Sequence, residues 1–272
     1  MSSKLKIFLP FIILVLLVLV LPIIMMIISS FQSTNGAFTV ENYEQAFSSH
    51  YYREAIFNSL WISFVTSLAS LVISIVGAWS LTKLKNTTKN VLISIFNMSS
   101  SFAGVPLAFS LIILFGNAGV LHAITKALSI ENHLNIYSLT GMIFAYTFFE
   151  IPLGIMFLFP VLNEINPEWQ EASQTLGAKK IFFLSNVIFP TILPNIVEVF
   201  TLLFANAMGT YETAYALVGD NVVSIPTLIG SLINGEIIAN VPLACTFATL
   251  FAIFMTLLVW MGNKFTRTDK RG

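Results

Sequence analysis

Charge is what this chain has least of. Lys, Arg, Asp and Glu make up 10% of its 272 residues, against roughly 25% in a soluble globular domain. The thirteen basic and thirteen acidic residues cancel, so net charge offers no footprint for nucleic acid or an anionic surface. A single cysteine, Cys245, lies in an apolar run, which excludes an internal disulfide and any paired-cysteine metal or redox centre. His50, His122 and His133 fall in connecting segments without metal-ligand spacing, and no Ser, His and Asp form a nucleophile constellation. The pattern GxxxxGK[ST] is missing as well, so the chain has no P-loop with which to cradle nucleotide phosphates. No catalytic, cofactor or metal residue is expected, and a polytopic membrane enzyme lacks any reactive group to build on.

What fills the space is apolar: 56% of the residues, 25 of them phenylalanine. A membrane span needs about 20 such residues to cross roughly 30 Å of hydrocarbon at 1.5 Å per residue. Six segments qualify: Ile7 to Ser29, Ile56 to Leu81, Val91 to Phe115, Leu139 to Leu162, Val187 to Met208 and Pro242 to Gly262. The first follows Lys4 and Lys6 as a secretory signal would, but its apolar run is too long and no small-x-small site follows, so it reads as a retained anchor. The expected fold is an all-α membrane protein, one transmembrane domain over residues 1–272, in contact with membrane lipid.

Basic residues stay on the cytoplasmic side of short loops. Eleven of the thirteen here (Lys4, Lys6, Lys83, Lys85, Lys89, Lys179, Lys180, Lys264, Arg267, Lys270 and Arg271) fall on one face if there are six spans, and only Arg53 and Lys126 fall on the other. Five or seven spans would destroy that segregation. Both termini and the loop from about 164 to 186 are therefore expected in the cytoplasm.

That loop carries the most legible signal. Asn166, Pro167 and Glu168 suit a helix start, as cap, first helical residue and first-turn acid. The predicted helix runs to Leu176 and stops at Gly177, which fits the left-handed C-terminal position. A second short amphipathic piece follows from Ala178 towards Pro190. Glu171-Ala172-Ser173, three residues, Gly177, nine residues, then Val187-Ile188-Phe189-Pro190 resembles the EAA loop of type I ABC importer permeases, E-A-A-x3-G-x9-I-x-L-P. The spacing matches throughout; Ser173, Val187 and Phe189 depart conservatively. The resemblance implies a coupling helix, between spans four and five, that docks on a separate ATPase subunit through Glu168, Glu171, Ala172, Ser173, Gly177 and Ala178. It also implies an assembly in a bacterial cytoplasmic membrane: two ATPases that bind the ATP and Mg, a second permease subunit, paralogue or identical, and an extracytoplasmic substrate-binding protein. Small Ala172 and Ser173 would let the partner approach closely, and Glu171 would meet a basic or hydrogen-bonding group. The alternative, a helix lying on headgroups, is disfavoured because residues 167–176 contain no Lys or Arg. More loosely, NSLWISFVTSLASLVISIVGAWSL and GTYETAYALVG resemble permeases of the spermidine/putrescine group, which overlaps with iron and phosphonate systems.

Several polar residues and helix breakers fall at membrane depth. Asn97, Ser99, Ser100, Ser101, Gly104 and Pro106 interrupt span three, where breaks are tolerated if neighbours or a water-filled cavity satisfy the backbone; packing of small residues is the other reading. Glu150 and Glu198 sit inside apolar spans, where an acid is by default a functional hypothesis. Asn97, Ser100, Glu150 and Glu198 are the candidate pathway residues. The two acids would favour a cationic, polyamine-type solute, or they are helix glue, protonated or paired with Asn195, Asn206 or a second subunit. In a self-powered secondary transporter they would instead carry protons, but no internal repeat is visible. Glu41, Glu44, Glu54, Glu131, Glu212, Asp220 and Glu236 make the outer connections acidic, a bias that the topology rule alone also produces.

A membrane-impermeant maleimide should label Asn35→Cys from outside intact cells and Thr87→Cys only after the membrane is opened; the opposite pattern would invert the assigned orientation.

Overall fold

The computed structural model describes residues 3–129, 135–166, 168–235 and 239–269. Glu131, His133, Pro167, Glu236, Lys270 and Arg271 lie outside the described residues, as does the side chain of Asp220. The described chain is helical without strands. In order it forms α1 (Ser3–Val15), α2 (Leu21–Ser30), α3 (Glu41–Ser48), α4 (His50–Thr82), α5 (Asn86–Ser100), α6 (Val105–Phe115), α7 (Val120–Ala127), α8 (Leu139–Asn163), α9 (Glu168–Thr175), α10 (Lys180–Phe183), α11 (Phe189–Gly209), α12 (Glu212–Val218), α13 (Ile225–Asn234) and α14 (Val241–Asp269). Among the described residues six helical stretches are long and apolar enough to cross a bilayer, the number that the charge segregation requires.

The third departs from expectation. Val91 to Phe115 is not one helix: α5 ends at Ser100 and α6 begins at Val105. Gly104 between them has φ +77°, a left-handed conformation open chiefly to glycine, and Pro106 opens α6 without needing a hydrogen bond. The long apolar stretch is instead Val105–Ala127, through α6 and α7.

Two other helices stay continuous by widening. Leu16–Val20 joins α1 to α2, and Leu184–Ile188 joins α10 to α11, each as a π-turn in which an N–H reaches back five residues: Leu21 to the Leu16 carbonyl, Phe189 to that of Leu184. Each lies just before a proline, Pro22 or Pro190. Proline has no N–H and crowds the carbonyl four residues back, so the preceding turn widens rather than breaks.

Contacts divide the chain into two compact units, residues 1–57 with 223–255, and residues 58–222 with 256–272; α4 and α14 each contribute to both. In the former, Ala46, Ala55, Leu228, Leu232, Leu243, Ala244 and Phe247 form the core, with the Tyr52 ring edge-on to Phe247 at 5.2 Å. The apolar window of Phe8–Ser30 is not buried at all within the chain. Its end is pinned instead by polar bonds. The Ser30 carbonyl accepts from Asn42 Nδ2 at 3.2 Å and from Thr246 Oγ1 at 3.1 Å, and Ser30 Oγ shares a hydrogen bond with the Tyr43 hydroxyl at 2.8 Å.

The latter unit has α8 at its centre, packed against α5, α6, α11 and α12. Its face towards α4 is close-fitting and polar. α4 presents buried Ser63, Thr66, Ser67, Ser70 and Ser74; Ser74 Oγ donates to the Ile151 carbonyl at 3.0 Å. A Cβ on Gly154 would sit 2.9 Å from Ser74 Cβ, and one on Gly77 would sit 2.7 Å from Ile155 Cδ1. The register rises together on both helices, so they run in the same direction. Leu71, Ala78, Leu158, Leu162, Ile192 and Leu203 fill the space below this seam, and Leu107, Leu111, Met142, Ala145 and Phe149 the space above it.

Because the Gly154 site has no room for a side chain, Gly154→Leu should cost about 1 to 3 kcal/mol of stability, read as a lowered thermal unfolding midpoint in detergent. Gly36→Leu would be a poor control because of its φ of +79°; Gly209→Leu, with open space around it, should leave the midpoint nearly unchanged.

Candidate functional site

The predicted coupling helix forms as α9, and its ends are made by side-chain and backbone chemistry that the sequence spells out. Asn166 Oδ1 accepts the Glu168 N–H at 2.9 Å, and Asn166 Nδ2 donates to Glu168 Oε2 at 3.1 Å. Glu168 and Glu171 occupy the first turn, where the helix dipole favours an acid. At the other end the Ala178 N–H reaches the Ser173 carbonyl at 3.0 Å and the Gly177 N–H that of Gln174 at 2.9 Å, the paired bonds of a Schellman stop. Gly177 has φ +78° with nothing within 4 Å of the position a Cβ would take. Its requirement for glycine is therefore conformational, not steric.

The stop sets α9 and α10 at an angle and leaves their apolar residues outside. Glu168, Glu171, Ala172 and Gly177 are exposed, and Ser173 and Ala178 half-buried. Leu176 is 87% exposed, Ile181 80%, and Trp169 and Phe182 are exposed too, whereas Phe183 and Ile188 are buried and anchor the segment to the bundle. The amphipathic piece expected after Ala178 accounts for Ile181 and Phe182; Leu176 and Trp169 add to the exposed apolar set from the α9 side of Gly177.

The four candidate pathway residues differ in exposure. Asn97 is exposed and Ser100 half-buried on α5; the Ser100 and Ser101 hydroxyls both donate to the Asn97 carbonyl, at 3.0 and 3.1 Å. Glu198 is exposed near the middle of α11. Glu150 differs. It is wholly enclosed in the seam between α4 and α8, away from any open face, so it does not join the other three.

Helical spacing reveals a pattern that single residues did not. Asn90, Ser94, Asn97 and Ser101 recur at successive turns of α5, all exposed. Thr191, Asn195, Glu198 and Asn206 recur along α11, exposed except for half-buried Asn195. On α11 the line interrupts an otherwise apolar membrane-length helix, whereas α5 is more mixed and opens on Asn86, Thr87, Thr88 and Lys89. The Ser94, Ser101 and Thr191 hydroxyls donate to carbonyls one turn back, while hydrocarbon would offer the exposed amides and the Glu198 carboxylate no hydrogen bonds.

The break in span three is also built from side chains. The Gly104 N–H donates to Thr213 Oγ1 at 3.0 Å, and the Glu212 carboxylate lies over the glycine, where a Cβ would come within 2.5 Å of Oε2. The Tyr146 hydroxyl donates to the Thr210 carbonyl at 2.9 Å. The stretch GTYETAYALVG thus holds α6 in place after the helix is interrupted.

A protein-family model described as binding-protein-dependent transport system inner membrane component matches residues 70–266. The chain is 27% identical over 155 residues to the probable sulfate transport system permease protein cysT of Helicosporidium sp. subsp. Simulium jonesii, covering 57% of this chain and 56% of that one. It is 26% identical over 180 residues to the spermidine/putrescine transport system permease protein PotC homolog of Mycoplasma genitalium, covering 66% and 59%. The matched region spans little more than half the length of these two relatives. A solved structure of a bacterial ABC transporter involved in the import of the acidic polysaccharide alginate matches with a TM-score of 0.82 over 97% of this chain and 94% of that one, at 18% identity. At that identity the likeness is one of fold.

Proposed function

The chain belongs to the binding-protein-dependent transport system inner membrane components, and from that premise we propose that it forms half of an ATP-driven import pathway for a small cationic solute of the polyamine type. The reading rests on one observation above others: an acidic side chain, Glu198, stands on an open polar line of a membrane helix. In this reading the α5 and α11 lines face water in the pathway or the second permease subunit. Neither line contains Lys or Arg. A carboxylate there attracts a cation and repels a dianion, which favours the solute class named for the PotC homolog over that named for cysT. Iron and phosphonate systems remain alternatives of the same architecture. A self-powered transporter is disfavoured by membership of a family whose transport depends on a binding protein.

Energy enters through α9. Its exposed acids, its small residues and the Leu176, Ile181 and Trp169 side chains form a surface with both polar and apolar groups, suited to a groove on a cytoplasmic ATPase. Closure of two ATPases would draw together the α9 helices of the two permease subunits, and the Schellman stop would transmit that movement to α10 and α11 without bending α9. The extracytoplasmic binding protein would release solute into the outward-open state. In this reading both termini lie in the cytoplasm, which the segregation of basic residues supports.

Glu171→Lys and Gly177→Pro should abolish ATP-driven uptake, with membrane insertion intact and co-purification of the ATPase lost or weakened at least tenfold; unchanged uptake in both variants overturns the coupling role. Glu198→Gln, in vesicles holding the complete assembly, should slow spermidine uptake about tenfold, about 1.4 kcal/mol in the barrier, while sulfate uptake stays at background. Sulfate uptake by the wild type would overturn the cationic reading and leave the importer reading standing.

A further inference from the structure

Glu150 has no part in the pathway proposed above, yet it is the most unusual side chain in the protein. It is 0% exposed and neither carboxyl oxygen has a hydrogen-bond partner. Ser70 faces the carboxyl from α4 without reaching hydrogen-bonding geometry. Thr66 lies one turn earlier on the same face. Ser70 Oγ and Thr66 Oγ1 are likewise enclosed and unpartnered. Among the described residues five buried side-chain oxygens lack a partner, and four of them belong to these three residues. Their neighbours are already committed: Ser67 donates to the Ser63 carbonyl, Ser74 to Ile151, Thr147 to Ile143 and Tyr146 to Thr210.

An ionised carboxylate out of water and without donors is strongly disfavoured, and deletion is not the only remedy: one positive charge bound at the site neutralises it. Among the described residues no basic side chain pairs with it. α4 has no charged residue from Asn58 to Thr82, and α6 has none. On the other elements packed against α8, Lys89 of α5 is occupied over the Phe159 ring at 5.8 Å, Glu198 of α11 is exposed and Glu212 of α12 lies over Gly104. Tyr215 of α12 is exposed, and Tyr146 lies one turn before Glu150 on α8 itself. One carboxylate with two hydroxyls is a hard, all-oxygen set. A divalent ion would leave it with an excess charge in a low-dielectric interior, whereas a monovalent one leaves it neutral.

We infer that Glu150, Ser70 and Thr66 form an internal site for a single monovalent cation, a proton or a sodium ion, which ties α4 to α8. When a proton fills it, the acid donates to one hydroxyl and accepts from the other; when sodium fills it, the carboxylate and both hydroxyl oxygens are its ligands. The site is independent of the transported solute. Its test needs no transport, so it stands or falls apart from the importer reading.

The experiment measures thermal unfolding of the full chain in neutral phosphatidylcholine nanodiscs, from pH 6 to 9, in sodium chloride or N-methylglucamine chloride at equal ionic strength. A proton bound more tightly in the folded state is lost as pH rises. The wild-type midpoint in N-methylglucamine should then fall by roughly 4 °C or more, while Glu150→Gln, neutral at every pH, stays flat. If sodium is the occupant, sodium chloride restores the midpoint at high pH in the wild type alone. Infrared difference spectra separate the two sources, since only the proton gives a protonated-carboxyl band that Glu150→Gln lacks. The Thr66→Val/Ser70→Ala double variant should weaken either response and serves in place of Glu150→Gln if that variant does not fold. The inference is overturned if the wild type and the variants share one pH and salt profile and the wild type shows no protonated-carboxyl band.

Discussion

Hydrocarbon cannot donate or accept a hydrogen bond, and nearly every departure from a plain helix in this protein is an answer to that fact. Where α5 stops before α6, the freed Gly104 N–H finds Thr213. Where Pro22 and Pro190 remove a donor, the preceding turn widens and the N–H just before each proline, Leu21 or Phe189, still finds a carbonyl five residues back. On α4 the Ser67 hydroxyl donates to a carbonyl of its own helix and that of Ser74 to one of α8. Against this thorough satisfaction two features stand out: the polar lines on α5 and α11, which turn outward, and the four unpartnered oxygens around Glu150, which turn inward. The first suit a function between subunits and the second a ligand within one.

The division between these two acids shows how much an environment decides. Glu150 and Glu198 look alike in the sequence, each a lone acid amid apolar residues. One is enclosed by serine-lined α4 and the other stands on an open face. Nothing local to either residue predicts the difference. It follows from which faces of α8 and α11 the neighbouring helices cover, and that is a property of packing between segments far apart in the chain.

Much of the rest was legible. The number of spans followed from length and from where Lys and Arg fall, and the α9 boundaries followed from Asn166 and Gly177, because caps and left-handed stops are local chemistry written in a few residues. Gly104 and Pro106 marked the interruption of span three, but the group that makes it tolerable, Thr213, lies more than a hundred residues later in the chain. The polar lines were hidden for a different reason. Asn90 and Thr191 are unremarkable singly, and they gain meaning only when helical spacing aligns them with Asn97 and Glu198.

The exposed apolar helix that ends at Ser30 bears on how the protein is assembled. Lacking side-chain burial of its own, it must persist in the bilayer on hydrophobicity alone until its anchors arrive, first Asn42 and Tyr43, then, some two hundred residues of synthesis later, Thr246. A late fastening of this sort makes maturation depend on the far end of the polypeptide. Damage to the final membrane helix would therefore be felt as a loosely held leading one.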